Sequence, residues 1–297
     1  MNESVFGGMT LKELALRTWR EVNEDNVLGG AAELAYYFLL ALFPMLIFLT
    51  SLVGFIPGLQ DQIFNGLAKV MPHDAMKIVS DTLRDVVSHR SGGLLSFGLL
   101  GALWASSSGV ASLMGTLNTA YDVKETRSFF RQRLTAVGLT IVLALIAVAG
   151  TALIMFGDKL SAWLTDSLGL GKEFAIIWGA ADYILALGIL FLALELIYYY
   201  APNLRQDWRW ITPGAVFAVG VFIAGSLLFS LYLRYAPDYS ATYGSLGAVV
   251  VLMLWLYLTG FILLTGAEIN SEIKHAAAQP AARKAEGISG RGEPGYV

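Results

Sequence analysis

The chain alternates long apolar runs with short polar breaks. Apolar stretches of bilayer length fall at about 31–56, 93–117, 134–156, 174–200, 211–235 and 244–266. A hydrocarbon core of about 30 Å needs roughly 20 apolar residues in helical form. The pattern predicts six transmembrane helices. Ahead of them, Thr10-x-x-Glu13 forms a capping-box signature, and Leu11, Leu14, Ala15, Thr18 and Val22 recur at helical spacing beside Trp19. Residues 1–29 therefore read as an amphipathic segment, lying at the membrane interface or packed on the protein. A second amphipathic pattern, Met76, Val79, Leu83 and Val86 against Lys77, Asp81, Arg84 and Asp85, lies in the long loop 57–92. The Gly-, Pro- and charge-rich stretch 276–297 reads as a disordered tail, leaving 30–275 as the membrane domain.

Details within the spans sharpen this layout. Pro44 inside the first span removes a backbone donor. In the second, Gly98, Ala102 and Ser106 lie four apart, as do Gly101, Ala105 and Gly109. Such rows let helix backbones approach closely, so this span is expected at the centre of the bundle. Pro213 at the start of the fifth span suits a first helical turn.

Composition agrees: 56% of the 297 residues are hydrophobic and only 14% charged, against about 25% charged in soluble domains. The fold class is all-α, a polytopic helical membrane protein. A net charge of −3 and the absence of cysteine argue against nucleic-acid binding, thiol chemistry and cysteine metal sites. No cleaved signal peptide is evident in the first 29 residues. The compact run Lys124, Arg127, Arg131 and Arg133 gives the clearest orientation signal. It places both termini in the cytoplasm.

Several blocks can now be read together: AAELAYYFLLALFPMLIFL (31–49), LWASSSGVASLMGTLNTAYDVKETRSFFRQRL (103–134), APN followed by WRWITPGAVFA (201–218), and YGSLGAVVVLMLWLYLTGFILLTGAEIN (243–270). In this order they resemble the YihY/BrkB family of bacterial inner-membrane proteins, over about residues 10–275. The resemblance implies about six spans and an inner-membrane location. It also implies a link to envelope biology, including lipopolysaccharide export. The family has carried the label ribonuclease BN, but it brings no catalytic residue set with it.

The candidate chemistry is therefore read from the polar residues. Glu33, Glu195 and Glu268 fall near the inner ends of spans one, four and six, where Asn118 and the basic run Arg127 to Arg133 also lie. Intramembrane carboxylates are expensive and face protein or water. The sharp reading is an inner-side polar cavity formed by Glu33, Tyr37, Asn118, Arg127, Arg131, Glu195 and Glu268, with the glutamates facing Arg127 or Arg131. The plainer one is ordinary helix-end ion pairing. Ser106, Ser107, Ser108 and Asp182 are midplane or outer candidates. Serines in spans commonly bond backbone carbonyls. Glu33-Leu-Ala-Tyr-Tyr-Phe38 and Glu195-Leu-Ile-Tyr-Tyr-Tyr200 share a pattern. One opens its span and the other closes it, which argues against an inverted repeat; the tyrosines read first as an aromatic belt and second as recurrent chemistry around each glutamate.

The three histidines, His73, His89 and His275, are unclustered. No H-x-H-x-D, H-E-x-x-H, P-loop or G-x-S-x-G pattern occurs. The expectation is no enzyme, no metal and no cofactor. The leading functional expectation is a transporter-like or lipid-handling protein acting on phospholipid or lipopolysaccharide. The alternatives are a scaffold for an envelope complex, and a small-ion or proton-coupled carrier using Asp182 and Glu195.

Overall fold

The computed structural model describes residues 6–53, 92–168, 172–235 and 246–289. The amphipathic pattern in 57–92 and the turn 236–245 lie outside the described residues. Among those described, every regular element is a helix: α1 (Leu11–Glu24), α2 (Val27–Val53), α3 (Gly92–Ala120), α4 (Phe129–Leu168), α5 (Lys172–Tyr200), α6 (Pro213–Tyr235) and α7 (Leu246–Ser289). Three contain stretches long and apolar enough to cross a membrane, at Phe129–Leu153, Pro213–Tyr232 and Val249–Ala278; Val27–Leu42 and Ile184–Tyr200 are shorter apolar helices. Leucines and isoleucines such as Ile184, Leu227, Leu228 and Leu254 are exposed on the outside of the bundle, where lipid replaces water as their solvent.

α1 begins as its sequence predicts. Thr10 Oγ1 accepts the Glu13 N–H at 3.2 Å, and Glu13 Oε2 accepts the Thr10 N–H at 2.9 Å. Its Leu14 packs with Met9 against Ile273 and Ala276 of α7, while Leu11, Leu16 and Trp19 stay exposed. The helix thus docks on the protein by one face and keeps an apolar face outward.

That docking explains a departure from the expected boundaries. α7 does not end near residue 266, and its backbone stays helical through Ser289. The stretch 276–289, expected to be disordered, is helix. Ala276 is buried against α1, and alanines are the strongest helix formers. α4 likewise runs unbroken from Phe129 through the expected break after residue 156.

α3 lies between α2 and α4 and also meets α7, whereas α7 packs against α1, α2, α3 and α6. The central element is therefore α7 at least as much as α3. The small-residue rows are used in part. A Cβ on Gly109 would sit 3.2 Å from Ala41 Cβ of α2, while one on Gly101 would meet nothing within 4 Å among the described residues. Ala102 packs with Ala144, Met45 and Ile141. The main core gathers Leu34, Leu113, Met114, Leu117, Tyr198 and Leu264 near one end of the bundle, where α3 and α5 finish and α6 begins. This is the polar end of the bundle.

Candidate functional site

Three polar constructions meet at the polar end. The first starts from the beginning of α6. A helix N-terminus leaves its first N–H groups without intrahelical partners. Thr212, just ahead of Pro213, is the N-cap: its Oγ1 accepts the Ala215 N–H at 3.3 Å. Glu195 of α5 accepts the Thr212 N–H at 2.5 Å and its hydroxyl at 2.9 Å. Asn270 of α7 completes the cap, accepting the Gly214 N–H at 2.8 Å and donating to Thr212 Oγ1 at 3.0 Å. A carboxylate at this helix end is also favoured by the helix dipole.

The second is a clamp between the α3–α4 loop and the end of α5. Asn118 accepts the Asn203 N–H at 2.6 Å and donates to Glu125 at 2.9 Å. Asn203 donates from its side chain to the Lys124 carbonyl and to Thr126 Oγ1. Arg127 forks onto Glu125, at 2.9 Å through Nε and 2.7 Å through Nη2. It also donates to the Ala201 and Tyr200 carbonyls at 2.9 and 3.5 Å, where a cation suits the C-terminus of α5. The Arg127 guanidinium holds the Glu125 carboxyl below the usual carboxylate range.

The third is acidic. Asp25 follows α1, and Asn26 adopts the left-handed conformation with φ of 51°. Asp25, Glu33 and Glu268 line one cavity of about 300 Å³ with Thr116 and Thr119. Glu33 accepts a hydrogen bond from Ser112 at 2.9 Å. Burial, with Asp122 and then Glu21 and Glu24 nearby, pushes the Asp25 carboxyl up to about 6.

These constructions revise the expected arrangement. Glu195 is occupied by Thr212, Glu33 by Ser112, and Arg127 by Glu125 and two carbonyls. The expected pairing of the three glutamates with Arg127 or Arg131 does not form among the described residues. The α6 cap and the clamp offer each group a closer partner. Arg131 lies exposed, and Tyr37 meets Tyr36 edge-on at 5.5 Å. Ser106 and Ser107 donate to the carbonyls of Leu103 and Trp104 within their own helix. Ser108 accepts from Arg133, which also donates to the Trp104 carbonyl and lies over the Trp104 ring at 4.1 Å. The side chain of Asp182 lies outside the described residues. The two tyrosine motifs differ in use: Tyr36 and Tyr37 are exposed, whereas Tyr198 is buried and donates to the Leu263 carbonyl at 2.8 Å.

A second cavity, of about 310 Å³, opens beside the α6 cap. Its lining includes Tyr121, Glu195, Tyr199, Arg205, Asp207, Arg209, Asn270 and Lys274. Among the described residues, Arg205, Arg209 and Lys274 make no ion pair within 4 Å. The sequence reading did not single out Asp25, Asn203, Thr212 or Asn270. Thr212-Pro213 was legible as a cap followed by proline at the first helical turn; Asn270 carries no local signal.

Long, lipid-exposed apolar helices closed at one end by a polar cluster define an integral membrane protein of helical class. The chain belongs to the Virulence factor BrkB family, whose model matches residues 18–288. It is 39% identical over 241 residues to the ribonuclease-like protein YfkH of Bacillus subtilis (strain 168), covering 81% of this chain and 88% of that one. It is 28% identical over 270 residues to a UPF0761 membrane protein of Paraburkholderia xenovorans (strain LB400), covering 89% of this chain but 60% of the relative. A UPF0761 membrane protein of Alteromonas mediterranea is 26% identical over 267 residues, 86% of each chain. No solved structure matches. The expectation that the chain is not an enzyme is overturned by the ribonuclease-like name of the Bacillus relative.

Proposed function

We propose that the protein is a lipid-handling, transporter-like component of the bacterial inner membrane. Its termini face the cytoplasm, and it binds the anionic headgroup of a phospholipid or lipopolysaccharide-type lipid at the polar end. The observation that carries this reading is the cavity of about 310 Å³ lined by Arg205, Arg209 and Lys274. Three cations with no ion pair within 4 Å among the described residues, with Asp207 near Lys274 and an aromatic lining of Tyr121 and Tyr199, match a phosphorylated headgroup entering from the membrane interface. Arginine pairs are suited to phosphate because the guanidinium fork donates two parallel hydrogen bonds. The aromatic cluster Tyr199, Trp208 and Trp210, with ring centroids 5.2 and 5.6 Å apart, sits where interfacial aromatics anchor at the headgroup level.

The test uses purified full-length protein in liposomes containing a labelled anionic lipid. Wild type is expected to bind the lipid and speed its passage between leaflets, and the Arg205→Gln, Arg209→Gln double variant to lose most of both. Unchanged transport in a folded double variant would sink this site. The name of the Bacillus relative supports a competing reading, a ribonuclease, for which the same basic cavity would take an RNA phosphate. Incubating the same preparation with labelled single-stranded RNA separates the two: cleavage lost in the double variant favours the nuclease.

A further inference from the structure

Asp25 and Glu268 come from distant parts of the chain and line the same cavity between the α1–α2 corner and α7. Glu268 is 1% exposed, and its Oε1 is buried without a hydrogen-bond donor. Asp25 Oδ2 is likewise buried without another donor, and the Asp25 carboxyl lies within hydrogen-bonding reach of the Glu268 carboxyl. Two buried carboxyls that face each other with no other donor need positive charge between them, either a shared proton or a bound cation.

The rest of the lining sharpens what that charge is. Asn26, Glu33, Thr116 and Thr119 add side-chain oxygens, and among the described residues no lysine, arginine or histidine lines the cavity. Basic residues elsewhere on α1 and α7 face other acids: Arg17 pairs with Glu272 at 3.8 Å, Arg20 with Glu21 and Glu24, and His275 lies 3.8 Å from Asp122. An all-oxygen donor set selects hard cations. No three His, Cys, Asp or Glu side chains converge as a metal cage among the described residues. Mg²⁺ does not need one, because it is commonly held by one or two carboxylates and keeps several of its waters. A space of about 300 Å³ has room for those waters, whereas a proton shared by the two carboxylates would need no cavity.

We propose that this cavity is a binding site for a hydrated divalent cation of the magnesium class, held by Asp25 Oδ2 and Glu268 Oε1. The site is separate from the basic cavity beside the α6 cap and does not depend on the lipid reading. An ion here would join the α1–α2 corner to α7 and fix the docking of α1.

Mn²⁺ is the probe, read by electron paramagnetic resonance on the full chain in detergent. Wild type is expected to bind Mn²⁺ at one site from which Mg²⁺ displaces it. Asp25→Asn and Glu268→Gln should each weaken binding by about tenfold or more, while Glu24→Gln leaves it unchanged. Thermal unfolding checks that each variant folds. Should Glu268→Gln fail to fold, Asp25→Asn carries the test alone, since Asp25 is half-buried at a helix end. Binding to wild type no stronger than to Asp25→Asn would overturn the proposal. So would a protonated-carboxyl infrared band at neutral pH that Mg²⁺ does not remove and Asp25→Asn does, because the pair would then hold a proton instead.

Discussion

Glu195 of α5 accepts two hydrogen bonds from Thr212, one from its N–H at 2.5 Å and one from its hydroxyl at 2.9 Å. The carboxylate is thereby spent on closing the N-terminus of α6. Glu195→Ala leaves the half-buried Thr212 donors without their charged acceptor, a loss of about 1–3 kcal/mol. Glu195→Gln keeps one acceptor oxygen and should cost less. Thermal unfolding of both variants in detergent checks the order. A Glu195→Gln variant that unfolds as early as Glu195→Ala would argue that the charge, not the acceptor, is what α6 requires.

The clamp makes a sharper demand. Asn118 accepts from Asn203 N–H and donates to Glu125, so neither a pure acceptor nor a pure donor replaces it. Asn118→Asp is expected to be worse than Asn118→Ala, because it sets a second carboxylate against Glu125. Arg127→Lys loses the forked geometry on Glu125 together with the Tyr200 and Ala201 carbonyls, a substitution that is not conservative at a bidentate site. Both effects are read as a fall in Tm, and Asn118→Ala proving the less stable would remove the dual role given to Asn118.

α6 and α7 touch backbone to backbone. A Cβ on Gly214 would overlap the carbonyl oxygen of Gly266, and one on Gly266 would overlap the Tyr198 hydroxyl and crowd the Gly214 carbonyl. Gly214→Ala should therefore cost about 1–3 kcal/mol as the helices are forced apart. Gly101→Ala, with nothing within 4 Å among the described residues, is the matched control and should be neutral or slightly stabilising in its helix. Equal unfolding temperatures for the two variants would contradict this packing.

The Asp25 carboxyl is raised from its ordinary 3.8 to about 6 by burial, with Asp122 and then Glu21 and Glu24 adding to it. The folded state therefore takes up this proton more readily than the unfolded chain. Its contribution is fully present below about pH 4 and is lost as pH rises through about 6. In metal-free buffer the stability of wild type should fall relative to Asp25→Asn across that window. Parallel pH profiles for the two proteins would remove Asp25 as the source.

Much of the fold was legible because it depends on short-range rules. The capping box of α1 at Thr10 and Glu13 and the six apolar runs follow from residue type and spacing alone. Helix ends were less legible. α7 continues past residue 266 because Ile273 and Ala276 find Met9 and Leu14, contacts that no local pattern announces. The candidate site was legible as a list of residues but not as a set of partners. Glu33, Glu195 and Glu268 were singled out by the cost of burying them. Their neighbours Ser112, Thr212 and Asp25 were not, because each is an ordinary residue until the bundle places it.

The sequence by itself determined that this chain is a helical membrane protein, since bilayer length and hydropathy leave a chain with such runs few other states. The tertiary structure decided which polar groups are consumed by the fold and which stay available. Glu195, Asn118 and Arg127 are held in hydrogen bonds across α3, α5 and α6, Glu195 at the edge of the basic cavity, while Arg205 and Arg209 border that cavity without an ion pair among the described residues and Asp25 and Glu268 border the acidic one. The physical reason is that a buried charge is defined by the groups around it, and those come from helices far apart in the chain.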